Sequence, residues 1–370
     1  MKKRENEKFL TEQIITYIGN KRSLLDFIGK GIKTIQKDLE KEKLDIVDIF
    51  SGSGIVARYL KQYSNKLITN DLENYSYTLN KCYLSNKSEL DMDKLISDYN
   101  YLQEQLNLEL NEGFIAELYS PKDTNRIKKN ERVFYTRRNA SYIDTCRKLI
   151  STLPDEEQAY FIAPLLTEAS IKNNTGGVFK GFYKNKEGIG QFGGTGKNAL
   201  TRIMADIDLP FPLFSEYECK VENYKEDANV LATKLDKVDV VYMDPPYNQH
   251  PYGSNYFMLN LINDYIKPEN ISKVSGIPEK WNRSSYNKKR EALDSMRDLC
   301  QKINSRYLLI SFNNEGFISK NEMLNMLKKI GKVELLEKKY NTYRASRNLN
   351  ARNLHTVEFL FIVKKEDFNE

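Results

Sequence analysis

Asp244-Pro245-Pro246-Tyr247 stands at the end of the apolar run VDVVYMD, and the loop after it, NQHPYGSNYF, is crowded with tyrosine and asparagine. Two successive prolines lack N–H groups and fix φ, so this backbone offers carbonyls without donors and holds Asp244 and Tyr247 in a set geometry. A carboxylate, a bare carbonyl and an aromatic face together suit an exocyclic amino group on a flat base. Asp244 and the Pro245 carbonyl would accept its two N–H bonds, while Tyr247 stacks on the ring. Held in this way, the nitrogen can aim its lone pair out of the ring plane, toward a methyl sulfonium. Such chemistry requires no strong general base, because the sulfonium is already a good electrophile; alignment and desolvation carry the rate. The plainer alternative is a proline-rich turn after a strand.

A second constellation supplies a partner for the first. DIFSGSG, residues 48–54, follows a strand and opens a helix, and glycines at 52 and 54 let backbone approach a ligand where a Cβ would obstruct it. A GxG turn is common and weak alone. Asp71, 17 residues beyond Gly54 at the end of the next strand, strengthens it, because a carboxylate there can accept from a ribose diol. The third glycine of the dinucleotide fingerprint is missing, which disfavours NAD and favours a nucleoside without a pyrophosphate, commonly S-adenosylmethionine. Phe50 belongs to the same turn. Asp48 either orients that turn, meets a methionine ammonium, or caps the strand end. Upstream, YIGNKRSLLDFI joins Gly19 and Lys21 to an apolar helix, and Lys21 either closes the pocket over a methionine carboxylate or lies on the surface.

The elements that must position these groups read as alternating strands and helices. KLDIVDIF (43–50), NKLITNDLE (65–73), VDVVYMD (238–244), RYLLISFNN (306–314) and HTVEFLFIV (355–363) are rich in β-branched and aromatic residues, as core strands are. IVARYLKQY starts a helix after the glycine turn, and KNEMLNMLKKIG (320–331) is an amphipathic helix expected to close at Gly331. This alternation implies an α/β fold with a mainly parallel, doubly wound sheet. Between about 76 and 220 the pattern changes to charged helical stretches, then DEEQAYFIAPLLTEASI, then the glycine-, lysine- and aromatic-dense NNTGGVFKGFYKNKEGIGQFGGTGKNAL (173–200). The expected organisation is a catalytic domain from 1–75 and 220–370, interrupted by an insert at 76–219.

Composition sets the outer limits. The chain has 370 residues, 57 basic against 51 acidic, and a net charge of +6. That excess is mild, but segments 125–148, 172–202 and 280–290 are basic and interleaved with aromatics, which favours a polyanionic partner. No run approaches a membrane span, MKKRENEKFL has no apolar signal core, and Cys82, Cys146, Cys219 and Cys300 form no CxxC pair. A cytoplasmic, reduced protein without a metal site is the expectation.

These motifs resemble the D12 class of adenine-N6 DNA methyltransferases, the group of the Dam and FokI-type modification enzymes. The resemblance lies in YIGNKRSLLDFI, DIFSGSG, the acid of TNDLE, and DPPYNQHPYGSNYF, and less specifically in SFNNEGFIS and KYNTYRASRN, over residues 12–75 and 220–363. It implies a Rossmann-like, mixed seven-stranded methyltransferase sheet, with HTVEFLFIV in its reversed hairpin. It also implies that Tyr17 and Lys21 contact the cofactor, Asp71 its ribose, and that Asp244 lies between cofactor and target adenine. Asp227, in KEDANVL, would lie near the cofactor's adenine.

The class places its target-recognition elements in the insert, where 173–200 resembles a glycine-turned β-hairpin. Asn173, Asn174 and Gln191 would read base edges, Lys180, Lys184 and Lys197 would meet phosphates, and Arg137 and Arg138 would add backbone contacts. Arg344 and Arg347, in NTYRASRN, either clamp the strand or cap the last hairpin. The target base would be flipped out of double-stranded DNA, with Tyr252 and Tyr256 as candidates to fill or prop the gap. Asparagine before Pro-Pro-Tyr would suit a protein amide and serine a cytosine amine; Asp244 argues against both. RNA as substrate, or an inactive DNA-binding subunit of the same fold, are the remaining alternatives. Membership in a restriction-modification pair, with a cognate endonuclease, follows from the resemblance alone.

Overall fold

The computed structural model describes residues 4–194, 196–197, 199–341 and 355–366. Seven strands form one sheet: β1 (Leu44–Asp48), β2 (Ser64–Asn70), β3 (Lys220–Tyr224), β4 (Val238–Met243), β5 (Ser305–Asn313), β6 (Gly331–Asn341) and β7 (His355–Lys365), in the order β3-β2-β1-β4-β5-β7-β6. The first five strands pair in parallel, while β7 runs antiparallel to both β5 and β6. The sheet is thus mixed and Rossmann-like, with its last hairpin reversed.

Alternation along each strand splits the core between two faces. Ile46, Leu67, Val240, Tyr242, Leu309 and Leu360 pack beneath the helix Leu25–Leu39, whereas Val47, Ile68, Val241, Met243, Leu308 and Phe361 pack against Ala292–Lys302 and Lys320–Leu327. Strands buried on both sides have to be apolar at every position, which is why the central ones were legible as continuous runs. The edge strand β3, KVENY, is half-exposed and polar, and β6 begins GKVELLEKK, a pattern equally compatible with a helix. Neither carries a strand signal of its own. Gly331 does not close the helix, which ends at Leu327; it opens β6, where a Cβ would lie 2.0 Å from the Lys364 carbonyl oxygen.

The insert is helical. Asn74–Tyr83, Met92–Leu108, Phe114–Tyr119, Arg137–Ile150 and Asp155–Ile171 share a separate core containing Leu79, Leu102, Ile143, Phe161 and Leu165. The expected division at 75/76 and 219/220 is too clean, however. Phe9 and Ile15 join this core, and so do Tyr256, Phe257, Met258 and Ile262, because the chain leaving β4 runs through the helical body before it re-enters the sheet at β5. The expected hairpin at 173–200 is much reduced, to a short antiparallel turn over 183–191, where Asn185 N–H donates to the Ile189 carbonyl and Gln191 N–H to the Tyr183 carbonyl. Among its described residues there is only one isolated bridge, Lys184↔Gly190, closed by Asn185, whose Oδ1 accepts from the Glu187 and Ile189 N–H groups. Glycine-rich stretches with few β-branched residues give a strand little to pack.

Candidate active site

Strands β1, β2 and β3 step outward in one direction and β4 and β5 in the other, so the chain reverses between β1 and β4. A crevice opens at the carboxyl ends of strands at such a switch point. Asp48 ends β1, and Asp244 follows the last residue of β4. The two motifs from opposite halves of the chain therefore meet.

The glycine turn is held from several sides. Ser51 donates from its N–H (2.9 Å) and hydroxyl (3.1 Å) to the Asn70 carbonyl, and the Asn80 amide donates to Ser51 Oγ at 2.7 Å. Gly52 and Gly54 have φ of +52° and +75°; a Cβ on Gly54 would lie 2.7 Å from Asn80 Oδ1. Asp71 accepts from the N–H of Gly52 at 2.8 Å and from that of Glu73 at 3.0 Å, so it braces the turn as well as facing the pocket. Asp48 faces the same turn, with the Phe50 and Ala57 N–H groups near its carboxylate. Its carboxylate is 1% exposed, and neither oxygen is met at hydrogen-bonding geometry. Burial first, and then Asp244 and Asp71, hold its pKa well above the usual carboxylate range.

One pocket joins these groups. It is lined by Tyr17, Lys21, Asp48, Phe50, Gly52, Asp71, Asp227, Asp244 and Pro246, all singled out in the sequence, but also by residues that were not. Glu73 is 3% exposed, with Oε2 accepting from the Asn260 amide at 2.6 Å; burial and Asp71 push its pKa up to about 7. Asn282, Ser284, Tyr286 and Asn287 come from the stretch 280–290, which its basic charge and interleaved aromatics assigned to a polyanion. The Asn282 amide donates to the Leu72 carbonyl at 2.8 Å, Tyr286 packs edge-on against Phe50 at 5.1 Å, and the Asn287 amide donates to the Asn248 carbonyl at 2.8 Å. Nothing in their types marks them. Asp227 caps the short helix Ala228–Leu231, accepting from the Asn229 N–H at 2.9 Å. In all, the lining carries six carboxylates (Asp48, Asp71, Glu73, Glu226, Asp227 and Asp244) against one lysine. A cation entering the crevice would favour the ionised forms of Asp48, Glu73 and Asp244, whose pKa values burial raises.

Lys21 is not on the surface: it lines the pocket. It is 3% exposed, and its Nζ lies 3.1 Å from Asp244 Oδ1 and 2.9 Å from Glu358 Oε1. Burial opposes its charge, yet the two carboxylates outweigh that and hold its pKa well above the ordinary lysine value. The ammonium is held between two protein carboxylates at the wall of the pocket. Asp244 itself is pushed up to about 6, by burial foremost, with Lys21 pulling it down and Glu358 up. Tyr247 packs edge-on against Phe312 at 5.7 Å, and its carbonyl accepts from the Phe317 N–H at 2.9 Å, which fixes the loop beyond the prolines.

The residues assigned to DNA fare unevenly. Asn174 is fully buried: its amide donates to the carbonyls of Val133 (2.7 Å) and Gln191 (2.8 Å), and its Oδ1 accepts from Gly193 N–H at 2.9 Å. Asn173 donates to the Ser170 carbonyl at 2.6 Å and accepts from the Thr175 hydroxyl at 2.6 Å. Neither has an edge left for a base, so both are corrected from readers to braces. Tyr256, likewise, is not free to enter a duplex. It is buried, stacks on Tyr17 at 4.6 Å, and accepts from the Ile18 N–H at 2.6 Å. Tyr252 also stacks on Tyr17, at 4.9 Å, and on Tyr256, at 5.9 Å, and it lines the pocket. Arg137 is bound to Glu112 and to the Ala116 carbonyl, and Arg138 to the Ile207 carbonyl and Asp206, so both brace the helical body. Lys180, Lys184 and Lys197 are exposed, while Gln191 is half-buried and donates to the Gly193 carbonyl. Arg344 and Arg347 lie outside the described residues.

A sheet of this order, with a glycine turn and Asp-Pro-Pro-Tyr at two sides of one crevice, defines a Rossmann-like methyltransferase. Comparison with known proteins narrows the class. The family described as "D12 class N6 adenine-specific DNA methyltransferase" matches residues 17–326, and the chain belongs to it. The Type II methyltransferase M.CviAII of Paramecium bursaria Chlorella virus 1 is 30% identical, over 94% of this chain and 98% of that protein. M.NlaIII of Neisseria lactamica is 30% identical over 95% and 99%. Modification methylase StsI of Streptococcus sanguinis is 31% identical over 96% of this chain, which spans 52% of that longer relative. Among solved structures, a Thermoplasma acidophilum protein matches at 10% identity and a TM-score of 0.31, a likeness too slight to carry any argument.

Proposed function

We propose that this chain transfers a methyl group from S-adenosylmethionine to N6 of a flipped adenine in double-stranded DNA, as the modification enzyme of a restriction-modification system. One observation carries the reading: the Asp71-braced glycine turn and Asp244 line the same pocket. The cofactor, when bound, supplies a methyl group on a cationic sulfur. The residues fit it. Gly52 lines the pocket without a Cβ, Gly54 lets the turn close over Asn80, Asp71 faces the pocket where a ribose diol would sit, and Asp48 offers a buried carboxylate to an ammonium.

Asp244 and the Pro245 carbonyl then accept the two N–H bonds of the adenine amine, and Tyr247 supplies a face for its ring. Their task is alignment, in a site closed to water. The helical body with 173–200 serves as the DNA-reading region, with Lys180, Lys184 and Lys197 on phosphates. A cognate endonuclease and a cytoplasmic setting complete the proposal; no helix among the described residues is long and apolar enough to cross a membrane.

The test is direct. Purified protein, S-adenosylmethionine labelled in its methyl group and duplex DNA should yield labelled N6-methyladenine after nuclease digestion. Label on cytosine, or on RNA in preference to duplex DNA, would overturn the reading.

A further inference from the structure

Glu358 is the single acid in TVEFLFIV, the apolar stretch of β7, and it is 0% exposed. A carboxylate in the middle of a buried strand has to be paired and hydrogen-bonded to be tolerated. Both conditions are met on one face of the sheet. Asn313 of β5 stands opposite Glu358, and Ser311 stands opposite Leu360, so Ser311 is the diagonal neighbour of Glu358; its hydroxyl donates to Glu358 Oε1 at 2.5 Å. Helix Leu25–Leu39 covers this same face, and Lys21, just before it, enters from above with its Nζ 2.9 Å from Glu358 and 3.1 Å from Asp244. One ammonium thus lies between two carboxylates. One of them is inaccessible, and the other, 19% exposed, faces the pocket.

The asymmetry has a chemical consequence. A lysine paired with Asp244 alone would neutralise it and draw it away from the target amine. Shared with a second carboxylate, the same lysine orients Asp244 without cancelling its charge. We propose that Glu358 is a positioning residue for methyl transfer, holding Lys21 so that Asp244 stays oriented yet remains a strong acceptor for the adenine amine. This rests on the function proposed above. Glu358 itself touches neither cofactor nor base and acts through Lys21.

The groups facing Asp244 are Lys21 before the first sheet-covering helix, Glu358 on β7, Tyr242 on β4, Asp48 on β1, and Tyr247 and Tyr252 from the following loop. Glu358 is the one whose negative charge competes for Lys21 from outside the pocket. Its removal should lower the pH at which Asp244 takes a proton, because Lys21 is then undivided. Ionised Asp244 is the stronger acceptor for the amine, so the acid limb of the rate should move to lower pH.

Glu358→Gln keeps the length of the side chain and leaves Lys21 and Asp244 as a one-to-one pair. Two readouts are needed. The first is the titration of the isotope-labelled Asp244 carboxyl by NMR, assigned with Asp244→Asn, which does not depend on turnover. The second is the pH profile of kcat at saturating cofactor and duplex. The Gln variant should move both midpoints down by about one pH unit and lower the plateau kcat by about tenfold, the worth of roughly one charge-assisted hydrogen bond. KM for S-adenosylmethionine should be unchanged. Glu358→Asp, which retains the charge, should hold the wild-type midpoints. Should the Gln variant not fold, Glu358→Met removes the charge with an apolar group of similar length, and the same midpoints are read. Unmoved midpoints in a folded, charge-removed variant would overturn the inference. Moved NMR midpoints in a protein that transfers no methyl group would leave the Lys21 linkage standing and overturn the functional reading instead.

Discussion

Two regions of this molecule are crowded with polar side chains beside glycine, and they use them in opposite ways. In the crevice at the strand ends, carboxylates face the pocket even where they also brace the frame, as Asp71 does, and neither oxygen of Asp48 is met by a protein donor at hydrogen-bonding geometry. In 173–200 the amides are the frame: Asn173 and Asn174 are buried and spend their donors and acceptors on backbone. A buried polar atom without a protein partner is costly and points to a ligand. A buried polar atom with a full set of partners points to the fold. Residue type cannot separate the two, and satisfaction of hydrogen bonds can.

The largest effect that would test this contrast is at Asp244. Asp244→Ala should abolish transfer to adenine while leaving duplex affinity within about tenfold, ~1.4 kcal/mol. Near wild-type transfer by this variant would remove the crevice from the chemistry.

A smaller effect is expected at Asp71, which braces Gly52 as well as facing the pocket. Asp71→Ala should weaken S-adenosylmethionine binding by roughly 1.5–3 kcal/mol, read by calorimetry. Unchanged affinity would make Asp71 a brace alone and erase part of the contrast.

Asn174→Ala tests the other region. It strands the Val133 and Gln191 carbonyls and the Gly193 N–H, so it should cost about 1–3 kcal/mol in denaturant unfolding. Cognate and mismatched duplexes should then be affected alike. Selective loss of discrimination at one base pair, with stability intact, would restore Asn174 as a reader.

The smallest effect belongs to the exposed lysines. Lys180→Ala should weaken cognate and non-cognate duplexes equally and reduce the slope of log affinity against log salt by about one. Fluorescence anisotropy at several salt concentrations measures it. A flat result would move the phosphate contacts to other basic faces.

What the amino-acid order determined by itself is local and periodic. Continuous apolar runs marked β1, β2, β4, β5 and β7, because central strands buried on two faces admit little else. Gly52, Gly54 and the two prolines declared their backbone roles through conformational constraints that hold in any context. The edge strands β3 and β6 escaped, since a strand half in water needs no apolar run. Three further outcomes belong to the tertiary structure: the closure of Asn174 into the fold, the turning of Asn282, Ser284 and Asn287 to the pocket, and the union of Lys21 with Asp244 and Glu358. The last joins residues separated by 223 and 114 positions along the chain. A charge or an amide is worth what its surroundings make of it, through burial and the partners in reach, and neither is written in the residue. Glu358 was passed over in the sequence, where it stands as a lone acid inside an apolar strand.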